Sequence, residues 1–159
     1  METLYRTCHI FNRGVEYACF FLGAVMSGVV ITQVFFRYAL NHSLFWSEEL
    51  GRFFLVWLTF LGATVAYRRR GHVSVDLIYN RLPDGGRRAL AIITLILSLI
   101  FFSVMIYFGV KYAHFIRMQV SPALRVVKWI PALIIPLSGA IMLLHGINFL
   151  LREIRGERP

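Results

Sequence analysis

Glu48, Glu49 and Arg52 stand at the head of an apolar run in residues 45–83, FWSEELGRFFLVWLTFLGATVAYRRRGHVSVDLIYNRLP. Glu48 and Arg52 are four apart, and Glu49 and Arg52 three apart. On a helix either carboxylate therefore reaches the guanidinium. Two carboxylates facing one cation leave a residual negative charge. At membrane depth that charge is costly unless another chain or ordered water answers it. The cluster thus reads either as a self-satisfied ion pair or as a docking surface.

Other reactive residue types form no such constellation. No nucleophile has a base at recognisable spacing, which argues against an enzyme. Five histidines invite a test for haem. Bis-histidine ligation needs two imidazoles at one depth. His114 falls at the outer end of the third apolar run, and His145 about 24 Å along the fourth, near the inner face. His9, His42 and His72 fall in or near connectors. Matched depth is missing, so no cofactor is expected, and His145 reads as a buried residue beside a hydrogen-bond partner. Cys8 and Cys19 match no metal or redox spacing and read as free thiols. Glu16 falls in a first helical turn rather than mid-membrane. A small cation-coupled exporter would need its carboxylate deeper.

The elements that hold these residues follow from hydropathy. The 159 residues allow one domain, residues 1–159. Apolar types make up 58% of them, against the roughly 45–50% of soluble domains. The excess lies in four apolar runs. The net charge of +9 comes from basic residues at the ends of those runs. There they meet lipid headgroups, and no basic face or RNA motif accompanies them, so nucleic acid is not an expected partner. The expectation is an all-α integral membrane protein with four transmembrane helices, at about residues 15–36, 46–67, 88–112 and 129–151.

The first run exceeds a signal-peptide core, and Val34-Phe35-Phe36-Arg37 is no cleavage site. It reads as an uncleaved membrane helix, with Gly23, Ser27 and Gly28 on a small face. The second is informative through its length. Its uncharged part, residues 53–67, spans only about 22 Å, short of a ~30 Å hydrocarbon core. The helix must start near Trp46, which extends it to about 33 Å. That places Glu48, Glu49 and Arg52 at or just below one membrane surface, with Ser47 as helix cap. Arg68-Arg69-Arg70-Gly71 stops the span and anchors it to headgroups.

Val73, Leu77, Ile78 and Leu82 share one face, so residues 73–82 read as a short interfacial amphipathic helix between spans two and three. His72 and Asp76, four apart, either pair on it or stand solvated. In the fourth run Pro131 suits a first turn and Pro136 predicts a kink. No pair of Gly/Pro-interrupted short helices marks a midplane transport site. Of the 17 basic residues, 11 lie on the side of the termini and the 68–88 connector, and 6 on the other. Both termini are therefore expected in the cytoplasm. The 111–128 connector, with Lys111, Arg117, Arg125 and Lys128, runs against that trend.

Trp46-x-Glu48-Glu49-x-x-Arg52, Gly62-Ala63, Arg68-Arg69-Arg70 and Gly71-His72-Val73-x-Val75-Asp76 together resemble the small membrane subunit of tripartite ATP-independent periplasmic (TRAP) transporters. Length and four spans agree. The resemblance implies a bacterial inner-membrane, non-catalytic subunit of a sodium-driven importer of carboxylate solutes. Its partners would be a large multi-span transport subunit, a periplasmic solute-binding protein and membrane lipids. Trp46, Glu48, Glu49, Arg52, His72 and Asp76 become candidates for the subunit interface or docking, with Arg117 and Arg125 facing the binding protein. An autonomous four-helix transporter and a haem-binding electron-transfer subunit are the alternatives.

Overall fold

The computed structural model describes residues 2–69 and 84–155, with side chains for residues 13–69 and 89–155. The described residues are helical apart from short connectors, with no strand beyond one isolated bridge. Helix α1 is Glu2–Ala39, α2 is Phe45–Arg68 and α3 is Asp84–Phe115. A four-residue α4, Trp129–Ala132, leads into α5, Ile134–Arg155. Among the described residues four stretches are long and apolar enough to cross a membrane: Arg13–Ala39, Phe45–Arg68, Ala89–Phe115 and Trp129–Arg155. Residues 73–82, with His72, Asp76 and Arg70, lie outside the described residues.

The helices form a row, α1–α2–α5–α3, in which α1 packs mainly on α2 while α5 packs on both α2 and α3. Helix α5 is the central element because it buries one whole face, with glycines at the closest approaches. Ile134, Ser138, Ile141, Met142, His145 and Gly146 recur at helical spacing and are all buried. A Cβ at Gly139 would stand 2.9 Å from Ile106 Cγ1, and one at Gly146 2.9 Å from Leu99 Cδ2. On the opposing helix, a Cβ at Gly109 would stand 3.0 Å from Pro136 Cδ. The pairs 109/136, 106/139 and 99/146 run in opposite directions, so α3 and α5 are antiparallel. In lipid there is no hydrophobic drive between helices, and such close backbone approach supplies the van der Waals contact that replaces it. The small face expected on α1 is used less: Gly23 meets Leu58 at 3.8 Å, while a Cβ at Gly28 would meet nothing within 4 Å.

Tyr67 joins three helices. Its ring stands edge-on to Phe102 of α3 at 5.0 Å and tilted to Phe149 of α5 at 5.9 Å. Midway along α2, Trp57 donates its Nε1–H to the Pro131 carbonyl at 3.1 Å. An indole N–H in an apolar span needs such an acceptor.

The last span is not one continuous helix. It breaks at Leu133, between α4 and α5. The break lies just before Pro136, where the sequence predicts a kink. Proline has no N–H for the Ala132 carbonyl four residues back, and its ring crowds that carbonyl. The chain resumes with Leu137 N donating to Leu133 O at 3.2 Å.

Candidate functional site

The conspicuous polar assembly lies at the end of the row that holds residues 40–44 and 116–128. Asn41 has φ 51°, a left-handed conformation that asparagine tolerates, and it ends α1. The next residue, His42, donates its N–H back to Phe36 O at 3.0 Å. Extended backbone at Leu44 then opens α2. Ser47 is not the cap that the sequence suggests. The helix starts at Phe45, so Ser47 lies inside the first turn. Its buried hydroxyl donates to Leu44 O at 2.6 Å.

Glu49 differs most from the local expectation. One carboxylate oxygen, Oε2, accepts the backbone N–H groups of Ala123 at 3.0 Å and Leu124 at 3.1 Å. Those residues follow Pro122 in a tight loop. Within it Ser121 N donates to Val126 O at 2.9 Å, Arg125 N to Ser121 O at 3.1 Å, and Lys128 N to Gln119 O at 2.9 Å. Val120 and Val127 form the bridge across its neck. Two adjacent N–H groups at the opening of a turn make an anion cradle like that of a helix N-terminus. Glu49 fills it from another element, 74 residues away in sequence. The buried Ser121 hydroxyl stands on the same carboxylate, outside hydrogen-bonding geometry.

Glu48 points elsewhere. Its Oε1 accepts from Gln33 Nε2 of α1 at 3.4 Å, a long contact. Neither carboxylate forms an ion pair with Arg52 within 4 Å. Arg52 is exposed, and its Nε reaches the backbone carbonyl of Glu48 at 3.4 Å. The helix-spacing argument is overruled because the turn at 122–124 offers Glu49 two N–H groups in fixed geometry, whereas Arg52 points outward. Trp46 is 42% exposed beside them.

The loop pinned by Glu49 presents Arg117 and Arg125 to the outside, and Arg125 has φ 53°. Phe115, Met118 and Val120 are exposed on the same connector. At the other end of the row Arg69 forms an ion pair with Glu16 at 2.9 Å, tying α2 to α1. Arg68 is half-buried next to it. Among the described residues no group of His, Cys, Asp and Glu could hold a metal ion. His145 is buried on α5, whereas His114 is exposed near the far end of α3. Sequence reasoning missed Gln33, Trp57 and the loop amides. Only Trp57 carried a signal, an indole N–H within an apolar run.

Residues 26–156 match the family described as tripartite ATP-independent periplasmic transporters, DctQ component. A TRAP transporter small permease protein of Haemophilus influenzae is 38% identical over 92 residues, covering 58% of this chain and 57% of that protein. The ectoine TRAP transporter small permease protein TeaB of Halomonas elongata is 35% identical over 134 residues, 82% of this chain and 67% of that protein. The isethionate TRAP transporter permease protein DctMQ of Oleidesulfovibrio alaskensis is 30% identical over 115 residues, 69% of this chain but 18% of that protein. This chain therefore spans a little over half of the first relative and under a fifth of the third. These relatives are all named as permease proteins of TRAP transporters. With its four apolar spans, this multi-pass inner-membrane chain belongs to the DctQ component family of TRAP transporters.

Proposed function

We propose that the chain is the non-catalytic small permease subunit of a TRAP transporter. It scaffolds a large transport subunit and helps dock a periplasmic solute-binding protein for sodium-driven uptake of a carboxylate solute. Both termini lie in the cytoplasm, which puts the 116–128 loop on the periplasmic side. The observation that carries this reading is that loop. It concentrates basic side chains on the side where the positive-inside rule disfavours them, and Glu49 holds it in one shape. A fixed basic tip with exposed Met118 and Val120 suits a soluble protein with an acidic rim. The relative DctMQ gives further support, because the matching region is a minor part of a larger permease protein. Such an arrangement is natural for a segment that works against a large membrane subunit. The solutes named for the relatives, ectoine and isethionate, differ in chemistry. This agrees with a small subunit that does not touch the solute.

Trp46 and Glu49 serve the docking surface in this reading, the first directly and the second by shaping the loop. His72 and Asp76 are assigned to the contact with the large subunit on the cytoplasmic side, and Arg68, Arg69 and Arg70 to lipid headgroups. The test is charge reversal, Arg117→Glu with Arg125→Glu, in the complete reconstituted system. The concentration of binding protein giving half-maximal uptake should rise several-fold, with uptake at saturation retained. An unchanged concentration dependence would rule out the loop as a docking element.

A further inference from the structure

The exposed surfaces of α2, α3 and α5 differ in character. On α2 the exposed residues Glu48, Arg52, Leu55, Val56, Thr59, Ala63 and Ala66 fall on a single stripe at three- and four-residue steps. On α5 the exposed stripe is Leu137, Leu144, Ile147, Leu151 and Ile154. On α3 it is also bulky, with Ile93, Leu97, Ile100, Phe101, Val104 and Phe108. Branched and aromatic side chains match lipid tails, whereas small ones, here Ala63 and Ala66, suit close approach of another helix. Small size alone would not choose a partner for α2. The charge at the head of the stripe does.

Arg52 lies seven steps into a 24-residue helix. The helix is about 36 Å long against a ~30 Å core, so when centred it carries the Arg52 backbone about 7 Å below the hydrocarbon boundary. A guanidinium there has to reach water or meet an anion. Among the described residues no carboxylate comes within ion-pair distance of it: Glu49, which feels its charge, is committed to the loop amides, and Glu48 is turned toward Gln33. Its one hydrogen bond, from Nε, is long, and the terminal nitrogens that form a bidentate fork with a carboxylate are uncommitted.

We propose that the outward stripe of α2 is the surface on which a transmembrane helix of the large subunit packs. That helix carries a carboxylate at the depth of Arg52. This rests on the reading that the chain works beside a large permease subunit. It adds which face is used and what chemistry the partner must bring. Bulky α3 and α5 then face lipid.

The experiment uses the whole complex in native membranes. A benzophenone amino acid is placed singly at Leu55 or Thr59 of α2, and at Leu97 or Phe101 of α3. Irradiation should join the large subunit to this chain from the α2 positions and not from α3. Adducts from α3 alone, adducts between two copies of this chain, or no protein adduct from α2 would overturn the surface. Separately, Arg52→Gln should lower the amount of large subunit co-purified by several-fold as detergent washing proceeds, and Arg52→Lys should retain most of it. Full recovery with Arg52→Gln would overturn the carboxylate, even if the α2 adducts form. If the unaltered chain brings down no large subunit, the functional reading itself fails, which distinguishes the two.

Discussion

Replacing Gly109 with alanine should loosen the packing of α3 on α5. The new Cβ would stand 3.0 Å from Pro136 Cδ, 3.1 Å from Pro136 N and 3.1 Å from Ile135 Cγ2. Two of those three atoms belong to a proline ring or backbone and cannot rotate away, so the helices must separate locally. Overpacking of this kind costs about 1–3 kcal/mol. Alanine also favours the helix over glycine by about 1 kcal/mol, which hides part of the loss. A second variant removes that ambiguity. Gly28→Ala, on the exposed side of α1, meets nothing within 4 Å and carries only the propensity gain. The difference between the two variants then isolates the packing term, about 2 kcal/mol. For a chain of this size that corresponds to about 6 °C in the midpoint of thermal unfolding. Gly139→Ala should also lower the midpoint relative to Gly28→Ala, since Met105 Cε at 3.0 Å can swing aside but Ile106 Cγ1 at 2.9 Å belongs to a stiff β-branched side chain. The assay is circular dichroism of the chain in detergent during heating. Equal midpoints for Gly109→Ala and Gly28→Ala would refute the close approach of α3 to Pro136.

Two further outcomes bear on the site. Glu49→Ala should speed backbone amide exchange at Ala123 and Leu124 several-fold, while the amides of α3 and α5 keep their protection. Unaltered exchange in the loop would mean that the carboxylate does not hold it. A reporter active only in the cytoplasm should give signal when fused after Pro159, and a silent fusion would reverse the sidedness assigned to the loop.

Much of the architecture is legible in the chain itself. Four apolar runs long enough to cross a bilayer state the number of spans. The shortness of the uncharged part of the second run places Glu48, Glu49 and Arg52 at its head, and α2 does begin at Phe45. Pro136 signals a discontinuity, though the break is seated earlier, at Leu133, because the lost hydrogen bond belongs to the carbonyl four residues before the proline. These features depend on composition and local covalent geometry, which one stretch of sequence contains in full.

The partners of the charges are another matter. Spacing alone pairs Glu49 with Arg52, three residues away. The fold instead brings in two amides from residues 123 and 124, in a connector between two later spans. Every residue except proline carries an N–H, so nothing in the letters marks which of them a turn leaves open to an anion. The order of the helices in the row is equally silent in the sequence, yet it decides that α5 is flanked by both α2 and α3 while the stripe headed by Arg52 is left uncovered. The charged head of the second span, written plainly in the sequence, is divided by tertiary structure into a carboxylate that shapes a loop and a cation that faces outward.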